Sequence, residues 1–123
     1  MSANPTAVLE RANAASRVGD VEGFLKHCTE DTVWTFVGEQ VLKGKAAVRE
    51  WMTEAYQTPP EFEVYRMVVD GDFLTAIGEI TLEDESGHPV RHSYCDVWRL
   101  RDGLLDQLHA FVVEGSIERT RFR

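Results

Sequence analysis

Asp96 is the residue whose type and surroundings point most directly to chemistry. It lies in Val90-Arg91-His92-Ser93-Tyr94-Cys95-Asp96-Val97-Trp98-Arg99-Leu100, a segment that reads as one long strand. Side chains alternate along a strand, so His92, Tyr94, Asp96 and Trp98 share one face, and Arg91, Ser93, Cys95, Val97 and Arg99 share the other. A carboxyl between a tyrosine and a tryptophan on a core-facing strand loses water. Without a partner its charged form is disfavoured and its pKa rises, by up to ~3–5 units at full burial. The chemistry this predicts is proton donation at neutral pH, as a general acid or as an oxyanion-stabilising donor. His92 and Tyr94 are the candidate proton-transfer partners. Same-face neighbours on a strand are ~7 Å apart, so His92 and Asp96, two such steps apart, are expected to share a ligand and not a direct bond. The alternative is that Asp96 bonds Tyr94, His92 or a backbone amide and only fixes the sheet, as buried polar groups usually do.

Trp34, Phe36, Trp51, Tyr56 and Trp98 are the large rings available to wall a pocket around that acid, and they suit an apolar ligand. Gly78, inside Ala76-Ile77-Gly78-Glu79-Ile80, is a strand-interior glycine. It marks either room for a ligand beside small side chains or a bend in the sheet. His27, His88, His92 and His109 have no metal-ligand spacing among themselves or with Cys28 and Cys95, so no metal site is expected. The two cysteines form no CxxC pair and read as free thiols.

The chain has 123 residues, enough for a single domain over 1–123 with one core and no staples. Its net charge of −8 and pI near 4.9 argue against nucleic acid or an anionic membrane as a partner. Arg119, Arg121 and Arg123 make a short basic tail over 115–123 that does not reverse this balance. There is no leader-like start and no apolar run of membrane-spanning length, so a cytoplasmic protein is expected.

The elements that must position these residues follow from pattern. Asn4-Pro5 opens a helix striped by Val8, Leu9, Ala12, Ala15 and Val18, and Gly19 ends it. Asp20 caps a short second helix with Val21, Phe24, Leu25 and Cys28 on its apolar side. Thr32–Val37 reads as a strand, turned by Gly38 into a companion around Val41-Leu42. Gly44 opens a third helix to about Gln57, stopped by Thr58-Pro59-Pro60. Four strands then follow as an antiparallel meander: Glu61–Val69, Phe73–Glu83, Val90–Leu100 and Leu104–Val113. Helices first and strands after predict an α+β fold.

This order resembles the nuclear transport factor 2-like superfamily, an α+β cone with three N-terminal helices packed in a curved, mostly antiparallel sheet. Its members include ketosteroid isomerases, SnoaL-like polyketide cyclases and limonene epoxide hydrolases. The strings that carry the resemblance are Val18-Gly19-Asp20-Val21-Glu22, Thr29-Glu30-Asp31-Thr32-Val33-Trp34, Leu42-Lys43-Gly44-Lys45-Ala46-Ala47-Val48 and Asp96-Val97-Trp98-Arg99-Leu100-Arg101-Asp102-Gly103. They span roughly residues 5–114. The resemblance places Asp96 at the protonated oxyanion-hole aspartic acid of ketosteroid isomerase. It places that family's base at Phe36, and its tyrosines near Ala12, Cys28 and Met52. The histidine and aspartate that SnoaL cyclases carry on the final strand fall at Leu108 and Ala110, which are therefore expected as pocket wall. The arginine and flanking acids of the epoxide hydrolases have no counterpart in Phe73–Glu83.

The resemblance implies a SnoaL/ketosteroid isomerase-like enzyme doing isomerase, cyclase or lyase-type acid–base chemistry on an apolar carbonyl or polyketide-like compound. Its expected catalytic residues are Asp96, His92 and Tyr94, and no cofactor is expected. The other reading is a non-catalytic ligand-binding or dimerisation module on the same fold, since the base position is empty. The superfamily also implies a homodimer through the convex sheet face. Val97, Phe111 and Val113 would form its centre, with arginines such as Arg91 finding partners such as Glu79 across the interface.

Overall fold

A computed structural model of the chain describes residues 4–117, so the arginines of the basic tail lie outside the described residues. Helix α1 (Pro5–Arg17) begins where Asn4 accepts a hydrogen bond from the Thr6 amide and Pro5 supplies a preset φ. Its Val8, Leu9 and Ala12 are buried, the stripe expected from the 3.6-residue period. Helix α2 (Val21–Leu25) is capped by Asp20, which accepts from the Gly23 amide. Helix α3 (Lys45–Ala55) starts at Gly44, whose φ of +91° falls where L-residues rarely go. It buries Val48 and Met52, and it stops two residues before the expected Gln57, leaving Tyr56 as its C-cap.

The six strands are β1 (Cys28–Phe36), β2 (Gln40–Lys43), β3 (Glu61–Asp70), β4 (Phe73–Glu83), β5 (Pro89–Arg101) and β6 (Leu104–Glu114). They form one sheet in the order β2-β1-β6-β5-β4-β3, open at both edges. The late meander forms as expected. It is extended by β1, which pairs parallel with β6, and by β2, which pairs antiparallel with β1. β1 starts four residues earlier than its apolar stretch suggests, because Cys28 pairs with Leu105 and the strand bulges before Val33. Thr29 and Thr32 hold that bulge by donating their hydroxyls to the Asp106 side chain and carbonyl. Cys28 therefore belongs to a strand and not to the second helix.

One face of the sheet is covered by the helices. Leu74, Trp98 and Leu108 stand in register across β4, β5 and β6 on that face, as do Ala76, Asp96 and Ala110. All of these except Asp96 join Leu9, Phe24, Leu25 and Met52 in the core. Each fully buried aliphatic side chain contributes ~1.5–3 kcal/mol relative to exposure. Thr75, Ile77, Val97, Cys95, Phe111 and Val113 lie on the outer face, where Phe111 and Val113 are exposed. No helix among the described residues is long and apolar enough to cross a membrane.

Candidate active-site cavity

The helix-covered face does not close completely. Between α1, the end of α3 and the concave sheet lies a cavity of about 1070 Å³. Its inner wall comes from Leu9 and Phe24, from Trp34 and Phe36 of β1, from Met52, and from Leu108 and Ala110 of β6. The mouth is framed by exposed residues of the β1–β2 turn, the α3–β3 connection and the β4–β5 turn, including Glu39, Gln57 and Gly87. Small residues create the space: Ala76 and Ala110 flank Asp96 on the neighbouring strands, where larger side chains would fill it.

Asp96 opens into this cavity, and protein encloses it on its other sides. No described residue hydrogen bonds to its carboxyl. Burial alone pushes its pKa up from 3.8 to about 7, with no cationic neighbour to offset it. The alternative in which Asp96 is bonded and fixes the sheet does not hold for this geometry. Its charge is felt by Tyr56 and Tyr94. The Tyr56 phenol is pushed up to about 12, by burial first and by Asp96 second, and Tyr94 is raised for the same two reasons.

The other residues expected at the site divide by geometry. Trp34, Phe36, Trp51, Tyr56, Trp98, Leu108 and Ala110 all line the cavity, and so does Tyr94. The Tyr94 hydroxyl does not bridge to Asp96. It reaches across β4 and donates to the Glu63 carbonyl at 3.4 Å. His92 is on the same strand face but does not line the cavity, and its Nδ1 lies 3.1 Å from the Val90 carbonyl. Gly78 serves Tyr94 and not a ligand. A Cβ there would sit 2.0 Å from the Glu63 carbonyl oxygen and 2.7 Å from the Tyr94 hydroxyl.

Most of the rings pack edge to face, and Phe36 lies tilted on Trp51. Trp34 and Trp98 have centroids 5.5 Å apart at 86°, Trp51 and Tyr56 5.3 Å at 75°, and Phe36 meets Trp51 at 4.8 Å. The Trp34 Nε1 is sealed from water and has no hydrogen-bond partner. Two polar residues that sequence reasoning missed also line the space: Asn13 and Ser16 on α1. Neither side chain is hydrogen-bonded to a described residue. Their spacing of three places them on one helix face, beside the Ala12 stripe, and that was the available signal.

A family model for the SnoaL-like domain matches residues 9–107, most of the chain. The chain belongs to the SnoaL-like domain family. No curated protein matches it by sequence. Among solved structures, an NTF2-like protein of unknown function from Burkholderia pseudomallei superposes with a TM-score of 0.79 at 16% identity, covering 89% of this chain and 90% of that one. SalBIII, an epoxide hydrolase/cyclase-like enzyme in pyran ring formation in polyether salinomycin, gives 0.79 at 21% identity, covering 88% and 89%. An LEH-like epoxide hydrolase of M. tuberculosis gives 0.77 at 16% identity, covering 88% and 81%. Likeness at these identities establishes the nuclear transport factor 2-like α+β fold, which hosts many chemistries.

Proposed function

We propose that this SnoaL-like domain is a cofactor-independent acid–base enzyme acting on a small, largely apolar carbonyl or polyketide-like compound, with Asp96 as the proton-transfer group. One observation carries the reading. The Asp96 carboxyl, unbonded to any described residue, opens into the inner end of a ligand-sized cavity whose inner wall is aromatic and aliphatic. A pKa of about 7 gives Asp96 both protonation states at neutral pH, the condition under which general acid–base catalysis is most efficient. In its neutral form it donates a hydrogen bond to a carbonyl oxygen and stabilises charge developing there. In its ionised form it accepts a proton from an adjacent carbon. Tyr56, kept neutral by burial, is a further donor in the cavity, beside the unbonded Asn13 and Ser16 side chains. His92 has no part in this scheme because it does not line the cavity.

The enzyme-like neighbours support the reading only at the level of fold. A second reading, a binding module without turnover, is favoured by one feature: Phe36, Leu108 and Ala110 place no second acid or base in the inner wall. Exchange of carbon-bound hydrogen in heavy water separates the two. Benzylacetone and aromatic polyketide fragments are incubated with the protein and followed by NMR. The enzyme reading expects protein-dependent deuterium uptake next to the carbonyl, lost in Asp96→Asn. Ligands that bind without any exchange would establish the binding module.

A further inference from the structure

The cavity carries acid and no base. Glu39, Glu54, Glu61 and Glu83 stand among its outer lining and Asp96 in its depth, whereas no lysine, arginine or histidine among the described residues lines it. The mouth glutamates are exposed and screened by solvent, so alone they identify nothing. Asp96 is different, because it is enclosed and no described residue donates to it. Among the described residues none supplies a countercharge, so a ligand is the source the cavity leaves open.

The rings beside Asp96 suit one kind of countercharge. Trp34 meets Trp51 and Trp98, and Trp51 meets Tyr56, at steep angles, while Phe36 lies tilted at 37° on Trp51, and all five rings line the same space. An aromatic face attracts a cation through its quadrupole, most strongly when both are desolvated. A carboxylate among such faces is the arrangement that recognises an organic ammonium. Anionic ligands meet five carboxyls and no donor cation.

We propose that the cavity binds hydrophobic ammonium compounds, with the cationic head against Asp96 and the aromatic rings and the apolar body along the inner wall. This ligand class goes beyond the carbonyl chemistry proposed above. It rests on the same cavity but not on turnover. An ammonium seated there pairs with the Asp96 carboxylate and displaces its proton to solvent, so it competes with a carbonyl compound that needs the neutral acid.

The test uses three probes of similar shape: phenylpropyl-trimethylammonium, benzylacetone and phenylbutyrate. All three tryptophans of the chain line the cavity, so their fluorescence reports occupancy. Titrations at about pH 8, where Asp96 is mostly ionised, are expected to show the ammonium binding at least ~10-fold more tightly than the ketone, with the carboxylate weakest. Asp96→Asn is expected to remove the advantage of the ammonium over the ketone. A ketone that binds as well as the ammonium overturns the proposal. So does an ammonium advantage that survives in Asp96→Asn, which would assign it to the mouth glutamates, or the absence of binding by the ammonium. Deuterium exchange on benzylacetone is read separately, so a failed ammonium preference and a failed acid–base function give different results.

Discussion

Glu79 and Asp96 lie on adjacent strands with their side chains on opposite faces of the sheet, and only Glu79 is met by donors. On the outer face, Glu79 is 1% exposed. It receives the Arg91 guanidinium at 2.9 Å, the Ser116 hydroxyl at 2.9 Å and the Ile117 amide at 3.0 Å. These contacts also fix the segment after β6 across the sheet. Arg91 is thus partnered within its own chain, by Glu79 and by Glu63, and does not need Glu79 of a second copy.

Opposite environments predict opposite effects of removal. Glu79→Ala removes the buried partner of Arg91, which keeps Glu63 and Thr81, and frees the C-terminal segment; losing such charge-assisted hydrogen bonds costs ~1.5–3 kcal/mol. Chemical denaturation should show that loss together with faster proteolysis after Glu114. A variant as stable as the parent would mean that Glu79 contributes nothing net.

Asp96→Asn should stabilise the protein, and only above a certain pH. The folded pKa of Asp96 is raised above its unfolded value, so the folded state binds more protons between the two. Its contribution to stability is fully present below about pH 4 and is lost as pH rises towards about 7. The rise from 3.8 to about 7 corresponds to at most ~4 kcal/mol, less where water in the cavity screens the charge. Melts of parent and Asp96→Asn should converge near pH 4 and diverge, with the variant higher, near pH 8. Destabilisation by the amide at every pH would show Asp96 to be an ionised structural partner.

Gly78→Ala is expected to disrupt the site without touching the acid. The added Cβ meets the Glu63 carbonyl, which is backbone at the β3 bulge and cannot swing aside, and the Tyr94 ring. Overpacking of this kind costs ~1–3 kcal/mol. The variant should melt lower and shift the tryptophan emission as Tyr94 is displaced into the cavity. An unchanged melt and spectrum would show that β3 yields at no cost.

We also propose that two copies associate through the outer sheet face, where Val97, Phe111 and Val113 present apolar surface beside exposed Val68. Sedimentation equilibrium at micromolar concentration should show a dimer, converted to monomer by Phe111→Glu. A monomeric parent protein would end this proposal.

Much of this architecture is legible in the residues. Asn4-Pro5, Asp20 and the Asp70-Gly71 and Asp102-Gly103 turns set boundaries locally, and alternation along β5 puts Asp96 on the inner face before any tertiary contact is known. What was not legible depends on pairing between distant segments. The parallel β1–β6 ladder places Trp34 beside Leu108, and no local signal reports that register. Alternation gives His92 the same face as Asp96. His92 stays out of the cavity although its β4 partner Ile80 lines it, and Gly78, which reads as room for a ligand or as a bend, is closed off by the Glu63 carbonyl of β3. Asn13 and Ser16 escaped notice because α1 was read for its apolar stripe alone.

The central claim is that Asp96 titrates near neutrality inside the cavity. Carbon-13 NMR of the aspartate carboxyls, with Asp96→Asn used for assignment, measures this directly. One aspartate resonance with a midpoint near 7 is expected, absent from the variant spectrum. A midpoint for Asp96 at the ordinary carboxylate value, about 4, would contradict it.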